Sequence, residues 1–112
     1  MSRDDWASKS YQEQLETGND WADKNAAADL LEKTEKTLLS QISSNYEGSE
    51  AAKERLARKD SGYVLHCEQM VEARRDANRA KVKWEATKSL GSFRQTQESL
   101  KKAEIQAQNS MT

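Results

Sequence analysis

The stretch "EARRDANRAKVKWEATK", residues 72–88, carries six Lys and Arg residues, four alanines and one tryptophan, with no glycine or proline. Within it, Ala73, Ala77, Ala80 and Trp84 recur at alternating spacings of four and three residues. This spacing is typical of a helix that buries one narrow seam against a second helix. Alanines in the seam allow two helix backbones to approach closely. The stretch therefore predicts a paired helix, and its basic residues raise nucleic-acid binding as a second hypothesis.

The same spacing extends on both sides and predicts one helix from Tyr63 to about Gln108. Its buried series comprises Tyr63, His66, Met70, Ala73, Ala77, Ala80, Trp84 and Thr87. Beyond Trp84 the apolar positions shift in phase to Ala86, Leu90, Phe93, Leu100, Ala103 and Ala107. Because Gly91 lies at this shift, we expect a local bend or a change of partner there.

Two further helices are predicted upstream. "NDWADKNAAADLLEKTEKTLLSQISSNY", residues 19–46, predicts a long helix with Asp20 as N-cap and Gly48 as its stop. Its expected buried positions are Ala27, Leu31, Thr34, Leu38 and Ile42, widened by Leu30 and Leu39. "SEAAKERLARK", residues 49–59, predicts a short helix capped by Ser49.

These elements predict an all-α fold, an elongated antiparallel helical hairpin or coiled coil with a short connecting helix and one very long C-terminal helix. Residues 1–18 are expected to form an N-terminal arm that is loose or a short helix. Residues 19–108 form the single hairpin domain, and residues 109–112 a disordered tail. Net charge of only −1 and clear periodicity argue against disorder over residues 20–107.

The predicted helices differ in length, and this difference predicts a partner. A first helix of about 26 residues covers about 39 Å, so the last 20 or so residues of the long helix lack an internal partner. We therefore expect a homo-oligomer or a protein partner. Trp6 and Tyr11 in the arm either pack on the hairpin or anchor that partner. The expected partner-binding residues are Trp6, Tyr11, Leu90, Phe93, Leu100 and Ile105.

The basic residues support two interpretations. Basic side chains beside an aromatic ring are the ingredients of single-strand binding, and the candidates are Arg74, Arg75, Arg79, Lys81, Lys83, Trp84 and Lys88. However, residues 1–50 hold eleven acids and five bases, whereas residues 51–112 hold eight acids and thirteen bases. This division favours an acidic helix folded against a basic one.

Catalytic and metal chemistry find no support in the sequence. His66 and Cys67 are the only His and Cys, and as neighbours on a helix they project about 100° apart. Zinc sites need three or four such ligands. No glycine-rich phosphate loop is present, so we expect no enzyme, no cofactor and no metal site. The absence of an apolar span or export signal predicts a cytoplasmic location, with no membrane partner.

"WADKNAAADLLEKTEKTLLSQI" and "EARRDANRAKVKWEATKSL" together resemble small, all-helical bacteriophage proteins of uncharacterised function, over roughly residues 20–100. Some of these are encoded among phage recombination and DNA-metabolism genes. The resemblance implies a phage-type protein–protein interaction module that inhibits or recruits a DNA-processing or host-defence enzyme. The alternatives are an accessory nucleic-acid-binding protein in phage recombination that uses the basic face of residues 74–88, and a structural or scaffold coiled coil.

Overall fold

A computed structural model of the chain describes residues 3–111, which form three α-helices: α1 (Arg3–Ser43), α2 (Glu50–Arg58) and α3 (Ser61–Met111). The helices α1 and α3 pack side by side in an antiparallel hairpin that measures 90 × 21 × 15 Å. The predicted all-α, elongated hairpin with a very long C-terminal helix is confirmed. Over residues 3–111, no helix is both long and apolar enough to cross a membrane.

The first helix begins much earlier than predicted. It runs from Arg3 straight through Gly18 and Asp20, so neither residue marks a boundary, and residues 3–18 are not a loose arm. The reason is tertiary: a Cβ on Gly18 would lie 3.0 Å from the indole Nε1 of Trp84. This glycine therefore permits close helix packing, which outweighs its low helix propensity.

The last helix is also longer and less interrupted than predicted. It continues unbroken through Gly91 and reaches Met111, so residues 109–111 are helical and not a disordered tail. Thr112 lies outside the described residues. A Cβ on Gly91 would lie 2.7 Å from the side-chain nitrogen of Gln14. Gly91 is thus a second position of close approach between α1 and α3.

The turn at the closed end of the hairpin follows the predicted signals. Gly48 adopts φ 123°, a left-handed conformation that favours glycine. Ser49 caps α2 and accepts a hydrogen bond from the backbone nitrogen of Ala52, as predicted. Asp60 accepts one from the backbone nitrogen of Gly62 at 2.8 Å, in the first turn of α3. These caps satisfy helix-end N–H groups and fix the reversal of the chain.

The seam between α1 and α3 forms a narrow core. All eight predicted seam residues of α3 are buried or half-buried, so that series is confirmed. On α1 the prediction was correct for Leu31, Leu38, Leu39 and Ile42, which are half-buried. It was wrong for the exposed residues Ala27, Leu30 and Thr34, whose places are taken by the fully buried Ala28 and the half-buried Glu35.

The small size of the buried side chains explains why the two helices lie so close. The buried apolar residues are Ala28, Ala57, Tyr63, Ala77 and Ala80, four of them alanines. Larger side chains lie at the edges of the seam and stay partly exposed. A two-helix core of this kind leaves most of each helix surface outside the fold.

Candidate interaction surfaces

Arg74 holds α3 against the acidic helix α1. Its Nε and Nη2 donate to the two carboxylate oxygens of Glu32 at 2.8 and 2.7 Å. Nη2 also donates to Asp29 at 2.6 Å, and Nη1 donates to the side-chain oxygen of Asn25 at 2.8 Å. These three α1 residues are four and three positions apart and therefore line one helix face. We call Arg74 with Asn25, Asp29 and Glu32 the arginine clasp.

The contact between Arg74 and Glu32 shifts the pKa of both side chains. Hydrogen bonding from Arg74 lowers the pKa of Glu32 below its ordinary value, and bonding to Glu32 and then Asp29 raises the pKa of Arg74. A forked guanidinium that meets a carboxylate with two parallel bonds is among the stronger and more directional polar contacts. The prediction that basic α3 pairs with acidic α1 is confirmed at this position.

Trp84 lies in the seam and stacks on Trp21 of α1. The ring centroids are 5.1 Å apart, and the planes differ by 12°. Lys88 places its Nζ 3.7 Å from the centroid of the Trp84 ring. Gly18 contacts the same indole along its edge. Within the hairpin Trp84 is therefore engaged by a ring, a cation and a backbone, which leaves little of it for a nucleic-acid base.

The other candidate basic residues lie away from the seam. Arg75 donates to Glu72 at 3.2 Å within the same helix, with 55% of its side chain exposed. Arg79, Lys81 and Lys83 are exposed. The predicted nucleic-acid face is thus divided: Arg74, Trp84 and Lys88 serve the hairpin, and the remaining four bases face outward.

Trp6 and Tyr11 have different environments at the open end of the hairpin. Trp6 is half-buried beside Gln95, Glu98 and Ser99 of α3. Its indole Nε1 is buried and meets no acceptor among the described residues. Tyr11, by contrast, is 67% exposed. The alternatives left open by the sequence are therefore resolved separately: Trp6 packs on the hairpin, and Tyr11 faces outward.

A second apolar face lies on α3 opposite the seam. Val64, Val71, Val82, Phe93 and Leu100 are 41–66% exposed and follow one line along the helix. We call these five residues the outer stripe. Only Phe93 and Leu100 were predicted as partner-binding residues. The three valines were missed because they are separated by polar residues, and only their spacing of seven and eleven residues reveals them.

The C-terminal end of α3 extends past the first residues of α1. Residues 100–111 are all exposed, including Leu100, Ile105 and Met111. Leu90, another predicted partner residue, is 45% exposed on the side of the helix. The prediction that these apolar residues lack an internal partner is confirmed, although α1 extends the seam to Glu98, further than expected.

A shallow groove of about 640 Å³ extends from the edge of the seam to the outer stripe. Its apolar lining is Met70, Val71 and Val82, and its polar lining is Glu32, Arg74, Arg75, Asn78 and Arg79. An apolar lining with polar residues around it is typical of a surface that binds another protein segment.

His66 and Cys67 do not form a reactive pair. His66 Nε2 lies 2.8 Å from the carbonyl oxygen of Leu31 and, because a carbonyl only accepts, carries the proton. Tyr63 donates to Glu35 at 2.6 Å, and this bond, followed by one that involves Cys67, raises the pKa of Tyr63. The bonds of His66 and Tyr63 each join the two long helices. Among the side chains that the structure describes, residues 5–111, no three His, Cys, Asp or Glu are grouped so that they could hold a metal ion.

Comparison of the chain with models of protein families, with curated proteins and with solved structures gives no match.

Proposed function

We propose that the protein is a non-enzymatic helical interaction module that presents one face of α3 to other proteins. The observation that carries this proposal is the outer stripe. It places five exposed apolar residues, with polar residues between them, in one line on the face of α3 that α1 does not cover. Exposed apolar surface of this extent, rimmed by polar residues, marks protein-binding surfaces on soluble chains.

The resemblance to small bacteriophage proteins supports the proposal that this module acts in a bacterium infected by a phage. A narrow, rigid hairpin can occupy a groove or an edge of a larger enzyme and block or recruit it. We accordingly propose a DNA-processing or host-defence enzyme of the bacterial host or of the phage as the partner. The exposed end of α3, residues 100–111, extends beyond the hairpin and can reach such a surface without rearrangement of the seam.

Co-purification from bacterial cells tests the proposal. The tagged parent chain is compared with Leu100→Glu/Ile105→Glu, which alters the exposed end of α3. The control is Leu30→Glu, which alters an α1 leucine that is 63% exposed. We expect mass spectrometry to identify one enzyme retained by the parent and by the control but lost from the double variant. Retention of the same proteins by all three chains would contradict the proposal.

Binding to single-stranded nucleic acid is the second candidate, and the exposed bases Arg75, Arg79 and Lys83 favour it. They recur every four residues and line one face of α3. However, Trp84, the proposed stacking residue, is engaged with Trp21. Net charge of −1 also gives no general attraction to phosphates.

We expect negligible binding of the parent chain to single-stranded DNA, even at low salt, because three surface bases neutralise few phosphates. Fluorescence anisotropy with a labelled oligonucleotide measures this, with Arg75→Gln/Arg79→Gln/Lys83→Gln as the matched variant. Submicromolar affinity that weakens steeply with salt and is lost in the triple variant would make nucleic-acid binding the first candidate.

A further inference from the structure

We infer that the outer stripe is covered by a second copy of this chain, α3 against α3 in antiparallel orientation, with the twofold axis at Val82. This inference rests on the proposed function, since it names the first partner of the same face. It depends on four observations: the line that the stripe follows, its symmetry, the residues between its members and its length.

The outer stripe is straight. Its successive spacings are seven, eleven, eleven and seven residues. Seven residues rotate a helical position by about −20° and eleven by about +20°, so the deviations cancel. Val64, Val82 and Leu100 are eighteen residues apart, which is five full turns of an α-helix. The seam with α1 instead follows the alternating four and three spacing of a coiled coil, so the two faces serve different kinds of contact.

The outer stripe is also palindromic. Val82 is its midpoint, with Val71 and Phe93 eleven residues to either side and Val64 and Leu100 eighteen to either side. A twofold interface requires that residue i contact residue j while j contacts i. Two antiparallel copies centred on Val82 meet this condition. Val71 then faces Phe93 of the other copy, and Val64 faces Leu100.

The residues between these apolar positions fit the same arrangement. In the antiparallel pair Arg75 lies opposite Ser89, and Asn78 lies opposite Ala86, so a larger side chain meets a smaller one each time. Parallel pairing instead places every residue against its own copy. Because Arg75 is on the line of the stripe, a parallel pair would bring two guanidinium groups together, which is unfavourable.

Charges at the edges of the pair also favour the antiparallel orientation. Lys81 of one copy lies two residues, about 3 Å, from the level of Glu85 in the other, and Glu72 lies equally near the level of Arg94. All four side chains are exposed. Arg79 of one copy also lies two residues, about 3 Å, from the level of Lys83 in the other, so this contact opposes pairing, and its repulsion should weaken as salt rises.

The length of the outer stripe is sufficient for a stable pair. From Val64 to Leu100 the helix extends about 54 Å, and a helix is about 10 Å wide. Two such faces cover on the order of 1,000 Å² in total, which reaches the size at which specific interfaces begin. The groove with Met70, Val71 and Val82 in its lining lies within this span and receives the apolar side chains of the other copy.

Disulfide trapping tests the pairing and its direction. All variants carry Cys67→Ser, which removes the native thiol. We expect oxidised Val82→Cys to become a covalent dimer, because the two positions face each other across the axis. Val64→Cys and Leu100→Cys should each stay monomeric alone and cross-link when mixed. Leu30→Cys, of similar exposure to Val82, should not cross-link, and circular dichroism checks that every variant remains helical.

Each other outcome overturns the inference. Self-cross-linking of Val64→Cys would show parallel pairing. No more covalent dimer from Val82→Cys than from Leu30→Cys would show that the stripe is not a self-interface. The second result leaves the proposal of an enzyme partner intact, because co-purification with Ile105→Glu alone, at a residue outside the outer stripe, decides that question separately.

Discussion

At the scale of single residues, the arginine clasp fixes how α1 and α3 face each other. Arg74→Lys keeps the charge but removes the forked geometry that engages Glu32, Asp29 and Asn25 together. We expect the melting temperature to fall by a few degrees, because a single ammonium cannot replace four aligned donors. Arg79→Lys, on an exposed residue, is the matched control and should change nothing measurable. If Arg74→Lys and Arg79→Lys change the melting temperature equally, Arg74 does not fix how α1 and α3 face each other.

The arginine clasp also predicts a pH dependence. The pKa of Glu32 is lowered in the folded chain because Arg74 donates to its carboxylate. A lowered folded pKa stabilises the protein above the unfolded pKa, and this stabilisation is lost as the pH falls through the folded value. Melting curves of the parent and of Glu32→Gln should therefore differ at pH 7 and converge in acid below the ordinary carboxyl pKa of 4.5. A constant difference across this range would contradict the assignment.

At the scale of helices, the two seam glycines should respond differently to alanine. Gly→Ala inside a helix normally stabilises by about 0.5–1 kcal/mol. At Gly91 a Cβ would lie 2.7 Å from the end of the flexible Gln14 side chain and 3.0 Å from the Ser10 hydroxyl, both of which can rotate away, so Gly91→Ala should raise the free energy of unfolding. At Gly18 the nearest atoms belong to Trp84, which is held by Trp21 and Lys88.

Gly18→Ala should therefore lower the free energy of unfolding despite the better helix propensity. Urea titration of Gly18→Ala, Gly91→Ala and the parent chain measures whether each substitution raises or lowers the free energy of unfolding. If Gly18→Ala stabilises the protein as much as Gly91→Ala does, the Trp84 ring is not confined as the packing indicates.

The seam of α3 could be predicted in full from spacing, because its alanines and Tyr63 fit one phase only. On α1 the runs of three alanines and two leucines fit two neighbouring phases, so Ala27 was chosen where Ala28 faces α3, and the exposed Leu30 was added beside the correctly chosen Leu31. The start of α1 could not be predicted, since nothing in the local sequence shows that Gly18 lies against Trp84. The arginine clasp depends on the register of the two helices, which becomes known only once they are paired.

At the scale of the whole molecule, α3 has two distinct faces. One face forms the seam that holds the hairpin together, and the other carries the outer stripe, which the hairpin leaves exposed. The exposure of Leu100 and Ile105 could be predicted because they lie beyond the paired part of the two helices, whereas Phe93 lies within it and is exposed because it is on the face away from α1. The role proposed for Val82 could not be predicted from its neighbours in the sequence, because it depends on the equal spacing of the other four stripe residues on either side of it.

The central claim is that the outer stripe binds a second copy of the chain, and the mass of the particle in solution tests it most directly. Light scattering should give the parent chain twice its 12.7 kDa, Leu30→Glu the same, and Val82→Glu the mass of a single chain that is still helical. Val82 and Leu30 are 66% and 63% exposed, so the two substitutions differ in location and not in burial. Equal masses for Val82→Glu and Leu30→Glu would contradict the claim.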